Sequence, residues 1–168
     1  MGNCIKYDVN HISITKMEKD NSNTDYLNTI EYRDTIPFVP PVSKGKVVKV
    51  YDGDTITIAS KVDNLIDSPI YRFSVRLNGI DTPEIKGKTE EEKEIAKKAR
   101  DDLSRMILGK IITLKNVETE KYGRLLAEVY FEETHINQWM IDNRYAVKYG
   151  GGTKQSPDNW KDYHENKI

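Results

Sequence analysis

The chain of 168 residues (19.4 kDa) has room for one domain and an appendage, and little room for a second core. Hydrophobic residues make up 37% and charged residues 32%, with a mean hydropathy of -0.70: polar, yet too rich in aliphatics and tyrosine for wholesale disorder. Net charge is -1, so the overall balance announces no polyanion partner, and a nucleic-acid ligand would need local clustering of positive charge or a bound cation. No run approaches the roughly 18 apolar residues that cross a bilayer, which excludes a membrane-spanning helix. The single cysteine, Cys4, excludes an intrachain disulfide and a multi-cysteine zinc site, and His11, His135 and His164 have no ligand spacing.

Residues 1–42 carry four Lys or Arg and six Asp or Glu, show no sustained period, and end in Pro37-Phe38-Val39-Pro40-Pro41. They read as an arm or linker, with one short strand expected over 11–15. From Ser43 to the end the chain reads as a folded domain, 43–168. Residues 45–51 (GKVVKVY) and 54–59 (DTITIA) are β-branched runs separated by Asp52-Gly53, a dipeptide favoured in tight hairpin turns. Tyr71, Phe73, Val75 and Leu77 alternate with Arg72, Ser74 and Arg76, which predicts a third strand with a polar face. Thr89 followed by Glu92 is a capping-box pattern, and Ile95, Ala99, Leu103, Met106 and Ile107 recur at helical spacing up to Gly109, an expected C-cap. Residues 110–115 form a fourth strand pattern, and Leu125, Ala127, Val129 and Phe131 a fifth. Residues 135–144 read as a short helix carrying Ile136, Trp139, Met140 and Tyr145 inward. The tail, 150–168, opens on three glycines and is polar around Trp160.

The order of these elements predicts an α+β protein, mainly β. Five antiparallel strands of this length tend to close and so remove their edges, which favours a five-stranded OB-fold-type barrel with two to three helices packed on it.

Three short segments at strand ends and loops carry chemistry: 52–55 (DGDT), 76–84 (RLNGIDTPE) and 121–124 (KYGR). Asp54, Asp81 and Glu84 offer hard oxygen ligands suited to Ca²⁺, and Pro83 keeps Thr82 extended so that its carbonyl can join them. The plainer alternative is a turn at Asp52-Gly53 and a polar loop at Asp81. Arg76 and Arg124 present planar forks that match phosphate oxygens, suited to stabilising a pentacoordinate phosphoryl transition state. Taken singly, each reads first as a solvated or salt-bridged surface arginine; their joint occurrence with three carboxylates is what favours the functional reading. Lys121, Tyr122 and Tyr149 could hold a neighbouring phosphate or stack on a base, while Tyr149 also fits simple packing.

The order and spacing of YDGDT, VRLNGIDTPE, a capped helix and KYGR resemble the staphylococcal-nuclease (thermonuclease) family over residues 43–149. The resemblance implies an OB-fold barrel and a Ca²⁺-dependent endonuclease cleaving DNA and RNA, with single strands favoured and no obligate protein partner. It implies Asp54, Asp81 and the Thr82 carbonyl as Ca²⁺ ligands, Arg76 and Arg124 at the scissile phosphate, and Glu84 as activator of the attacking water. Lys121 and Tyr122 fall near a substrate phosphate, and Asp52 at a further acidic position. Members commonly carry a long basic C-terminal helix and more tyrosines after the second helix, where this chain has the 150–168 tail, Tyr145 and Tyr149. Relatives that keep the barrel as non-catalytic binding or protein-docking modules lose the acidic and arginine residues; here Asp54, Arg76, Asp81, Glu84 and Arg124 are all present.

Gly2-Asn3-Cys4 resembles the start of dually acylated proteins, with Lys6 where Ser or Thr is usual. Myristate on Gly2 and palmitate on Cys4 would together tether the chain to a membrane. The N-terminus has no apolar core of a secretory signal, so the expected location is intracellular and cytoplasmic, with or without that tether.

Overall fold

The computed structural model describes residues 24–153 and 156–167. Gly2, Cys4 and the strand expected over 11–15 lie outside the described residues. The chain separates into two units, Met1–Pro37 and Phe38–Ile168. In the first, short 3-10 turns occupy Asp25–Thr29 and Tyr32–Asp34, and none of their residues is buried.

The second unit is a closed barrel. Its strands are β1 (Lys44–Val50), β2 (Thr55–Ser60), β3 (Tyr71–Leu77), β5 (Ile111–Thr119) and β6 (Leu125–Phe131), with two-residue strands β4 (Ile80–Asp81), β7 (Thr134–His135) and β8 (Val147–Lys148) at its margins. The order β3-β2-β1-β5-β6 is closed by pairing of β3 with β6. That last pairing is parallel, Val75 opposite Leu125 and Leu77 opposite Ala127, so the barrel is mixed rather than wholly antiparallel. The alternation in β3 and β6 explains the core: Val75, Leu77, Leu125, Ala127 and Val129 are buried with Val47, Ile56, Ile58 and Ile112. Val42, just ahead of β1, is buried in the same core.

The Asp52-Gly53 dipeptide does not form the tight hairpin turn its sequence suggests. The β1–β2 register runs Val50 to Ile56, and Tyr51 and Asp52 both donate backbone N–H to the Thr55 carbonyl, leaving a longer loop. Gly53 serves close approach instead: a Cβ there would lie 3.0 Å from the Thr82 side chain. The absent side chain lets the Asp54 loop press against the Asp81-Thr82 segment.

Helix α1 (Glu90–Ile107) starts where Thr89 accepts a hydrogen bond from the Glu92 N–H, and Gly109 follows its end in the left-handed region at φ 78°. The reciprocal half of the capping box is replaced, because the Glu92 carboxylate turns to the preceding loop. Ile95, Ala96, Ala99, Leu103 and Ile107 form its buried stripe. Helix α2 (Ile136–Asp142) buries Ile136 and Met140, while Trp139 is half-buried. A third helix, α3 (Trp160–His164), forms in the polar tail. Its N-cap Asn159 accepts from the N–H groups of Lys161 and Asp162, Trp160 is buried, and Lys161 pairs with Glu94 of α1. No helix among the described residues is long and apolar enough to cross a membrane.

Asn137, absent from the sequence-based core, is 3% exposed. Its Oδ1 accepts from the Val129 N–H at 2.9 Å, and its Nδ2 donates to the carbonyls of Asn78 (2.8 Å) and Ala127 (3.2 Å). It therefore ties β6 to the β3–β4 turn that leads into Asp81. Asn137→Ala removes the buried acceptor of the Val129 N–H and the donor to the Asn78 carbonyl, while the Ala127 carbonyl keeps the Asn78 N–H. It is expected to cost about 1–3 kcal/mol, read from urea denaturation. An unchanged midpoint would show the groups find other partners.

Candidate active site

The three chemistry-bearing segments meet at one end of the barrel because of strand register. Thr55 and Leu126 flank Arg76 across β2 and β6, and the Leu77 N–H donates to the Asp54 carbonyl at 2.8 Å. Asp54 thus enters at the head of β2, Arg76 from β3, Asp81 from the end of β4, and Arg124 just ahead of β6. The β4–β8 pairing, Ile80 with Lys148 and Asp81 with Val147, brings Tyr149 alongside.

Arg76 is the hub. Its Nη2 lies 3.0 Å from Asp54 Oδ2 and 3.6 Å from Asp81 Oδ1, while Nη1 donates to the carbonyls of Leu77 and Ile80, each at 3.0 Å. The three side chains are only 13%, 11% and 2% exposed, so this is a buried ion cluster rather than a solvated one. The surface-arginine alternative therefore does not hold for Arg76. Burial pushes the Asp54 carboxyl up to about 7; Arg76 pulls it down and neighbouring Asp52 adds repulsion, but desolvation outweighs the ion pair.

Arg124 joins through two residues that sequence reading missed. Thr55 Oγ1 donates to Asp54 Oδ1 at 2.9 Å and accepts from Arg124 Nη1 at 3.4 Å. Glu120 grips the other edge of the guanidinium, Oε1 to Nε at 2.5 Å and Oε2 to Nη2 at 3.0 Å. That hydrogen bond holds the Glu120 carboxyl below its usual range and raises Arg124. The Glu120 carbonyl also accepts the Gly123 N–H, closing the turn that aims Arg124. The visible signal was an acid four residues ahead of the arginine.

Thr82 is buried against Gly53, and Glu84 stands exposed on the next stretch. Asp81, Thr82 and Glu84 line a cleft of about 480 Å³ that continues to Lys86, Lys88 and Trp160. Glu84 also borders a smaller cleft of about 260 Å³ with Tyr51 and Asp52. Another, also about 260 Å³, lies between Arg76, Glu120, Leu126 and Tyr149, with the Tyr149 ring centre 5.8 Å from the Arg76 guanidinium carbon. Lys121 and Tyr122 are not drawn into the cluster. They sit on the exposed 121–123 turn, Lys121 Nζ 4.9 Å from the Tyr122 ring centre.

Among the described residues no group of three or more His, Cys, Asp or Glu forms a metal cluster. The donor set nevertheless fits a hard divalent cation: two buried carboxylates converge on one guanidinium nitrogen, and one of them is raised by a desolvation that a cation would offset.

The family model described as staphylococcal nuclease homologue matches residues 74–166, more than half of the sequence. The chain belongs to the staphylococcal-nuclease family. Its mixed five-stranded barrel with three helices is the OB-like fold expected of that family. An uncharacterised protein of Bacillus anthracis is 34% identical over 107 residues, 62% of this chain and 46% of that protein. A protein of Haemophilus influenzae named as an uncharacterised endonuclease is 32% identical over 104 residues, 62% of this chain and 51% of that protein. A staphylococcal-like nuclease of Arabidopsis thaliana is 30% identical over 78 residues, 46% of this chain and 22% of that protein. The chain spans about half the length of the two bacterial relatives.

Proposed function

We propose that this member of the staphylococcal-nuclease family is a Ca²⁺-dependent endonuclease hydrolysing phosphodiester bonds of DNA and RNA, with single strands favoured. The observation that carries the reading is the junction of Asp54, Arg76 and Asp81, with Arg124 tied to it through Thr55. A site that only held nucleic acid would gain nothing from two buried carboxylates beside its phosphate-binding arginine, because they repel the ligand. Membership in the family and relatives named as endonucleases support the same reading.

Asp54, Asp81 and the Thr82 carbonyl are the groups that would hold the ion; when bound it supplies positive charge against the phosphate oxygens. Arg76, already fixed by two backbone carbonyls, presents its remaining donor capacity to the same phosphate. Glu84 accepts a proton from water as the water oxygen bonds to phosphorus, and the bond to the opposite oxygen breaks. Arg124 donates to the oxygens on which charge accumulates. Tyr149 offers a face for an unstacked base beside Arg76, which favours single strands, while Lys121 and Tyr122 sit on the turn before Arg124.

The test is cleavage of single-stranded DNA by the purified chain, with Ca²⁺ and then with excess chelator. Cutting is expected only with Ca²⁺, and Ca²⁺ alone is expected to raise the melting temperature. A folded chain that retains the strand without cutting it overturns the enzyme and leaves the non-catalytic binding module.

A further inference from the structure

The loop bearing Glu84 is fastened by a residue from the next element. Glu92, in the first turn of α1, turns its carboxylate back: Oε1 accepts the Glu84 N–H at 3.2 Å and Oε2 accepts the Lys88 N–H at 3.0 Å. Between them, the Gly87 N–H donates to the Glu84 carbonyl at 2.8 Å, so the loop is closed on itself and clamped at both ends. The approach needs glycine at 87, where a Cβ would fall 2.3 Å from Glu92 Cδ and 2.5 Å from Oε2. Glu92 is itself fixed by its N–H bond to Thr89 Oγ1 and by a helix anchored in the barrel core through Ala99, Leu103 and Ile107.

Hydrogen bonds to a carboxylate are roughly twice as strong as neutral ones, and here two of them converge on one loop. An exposed loop carrying a proton acceptor is otherwise free to sample positions out of reach of the phosphate. We infer that Glu92 is a positioning residue that sets Glu84 in register with the site through the loop backbone, to which both of its carboxylate oxygens are bound. The inference rests on the nuclease reading, with Glu84 as proton acceptor. A capping glutamate that served only the helix would direct its carboxylate to the N–H of Thr89; this one directs it to the loop.

The experiment compares Glu92→Ala, Glu92→Gln and Gly87→Ala in the full chain, by single-turnover cleavage of single-stranded DNA and by backbone amide exchange without Ca²⁺. Glu92→Ala is expected to lower kcat about 10- to 100-fold with little change in KM, the signature of a misplaced group rather than lost binding. Glu92→Gln, which keeps one acceptor, is expected to recover part of the rate. Gly87→Ala displaces the same carboxylate from the loop side and is expected to reproduce the loss, which keeps the test valid if Glu92→Ala does not fold. Exchange is expected to quicken at the amides of Glu84 and Lys88 while the core amides stay protected. In a Glu84→Gln background, Glu92→Ala is expected to add no further loss, because the two act as one unit. Parental cleavage by Glu92→Ala and Gly87→Ala overturns the inference alone, as does an equal loss in the Glu84→Gln background. A folded parent chain that does not cleave with Ca²⁺ overturns the nuclease reading, and this role with it.

Discussion

The Glu84→Gln variant is expected to cleave single-stranded DNA about 10²–10⁴-fold more slowly than the parent, the usual contribution of a positioned proton acceptor. The substitution keeps size and hydrogen-bonding reach but removes the ability to take a proton from water. Glu84 is exposed, and its backbone is held by bonds from Glu92 and Gly87 that the change leaves alone. Stability is therefore expected to stay within about 0.5 kcal/mol, as for most surface substitutions. Because Glu84 is not among the proposed ion ligands, the shift in melting temperature on adding Ca²⁺ should also persist. Turnover within a few-fold of the parent would remove Glu84 from the mechanism and leave the proton acceptor to be sought elsewhere along the cleft.

Periodic features were the legible part of this sequence, and pairwise geometry the illegible part. The alternation in β3 and β6 and the helical stripe from Ile95 to Ile107 each place apolar residues on one face, and the structure buries most of each face. Tyr71 at the start of β3 is exposed and Phe73, Met106 and Phe131 are half-buried, because the ends of these elements leave the core. Strand order carries no such signature. The parallel closure of β3 on β6 follows from where the chain returns after α1 and β5, not from anything local in Leu125–Phe131. The Asp52-Gly53 pair shows how one dipeptide serves two purposes: a hairpin turn is its commonest use, yet here Gly53 is shaped by the Thr82 side chain across the site. The sequence allows a third helix without placing it, because five mostly polar residues have no period to read; α3 exists through the Asn159 cap and the burial of Trp160. In the site, DGDT and KYGR located Asp54 and Arg124, but the acid that orients Arg124 lies one residue ahead of the motif, at Glu120. The Thr89–Glu92 spacing correctly marks the helix start and says nothing of where the second carboxylate arm goes.

The two arginines are expected to fail differently, and that contrast tests the proposed chemistry more sharply than either loss alone. From sequence, both alanine variants are expected to fold normally and cleave slowly; the geometry separates them. Arg124 is 30% exposed and its partner Glu120 16%, and truncating the arginine at this surface turn lets water reach the Glu120 carboxylate. Arg124→Ala should therefore fold at nearly parental stability while cleavage falls about 10²–10³-fold, the cost typical of deleting one preorganised donor at a developing oxyanion. Arg76→Ala should lose at least as much rate and also stability. It leaves Asp54 and Asp81 buried beside each other without their shared cation, and removing one partner of a buried ion cluster typically costs about 3–5 kcal/mol. Ca²⁺ restores part of that stability if the two carboxylates form its site, because the ion replaces the missing positive charge between them. Urea denaturation with and without Ca²⁺, alongside single-turnover cleavage, separates the outcomes. A destabilised Arg76→Ala chain that Ca²⁺ does not rescue would place the ion away from Asp54 and Asp81. A fully active Arg124→Ala chain would reduce that arginine to a partner of Glu120 in the turn.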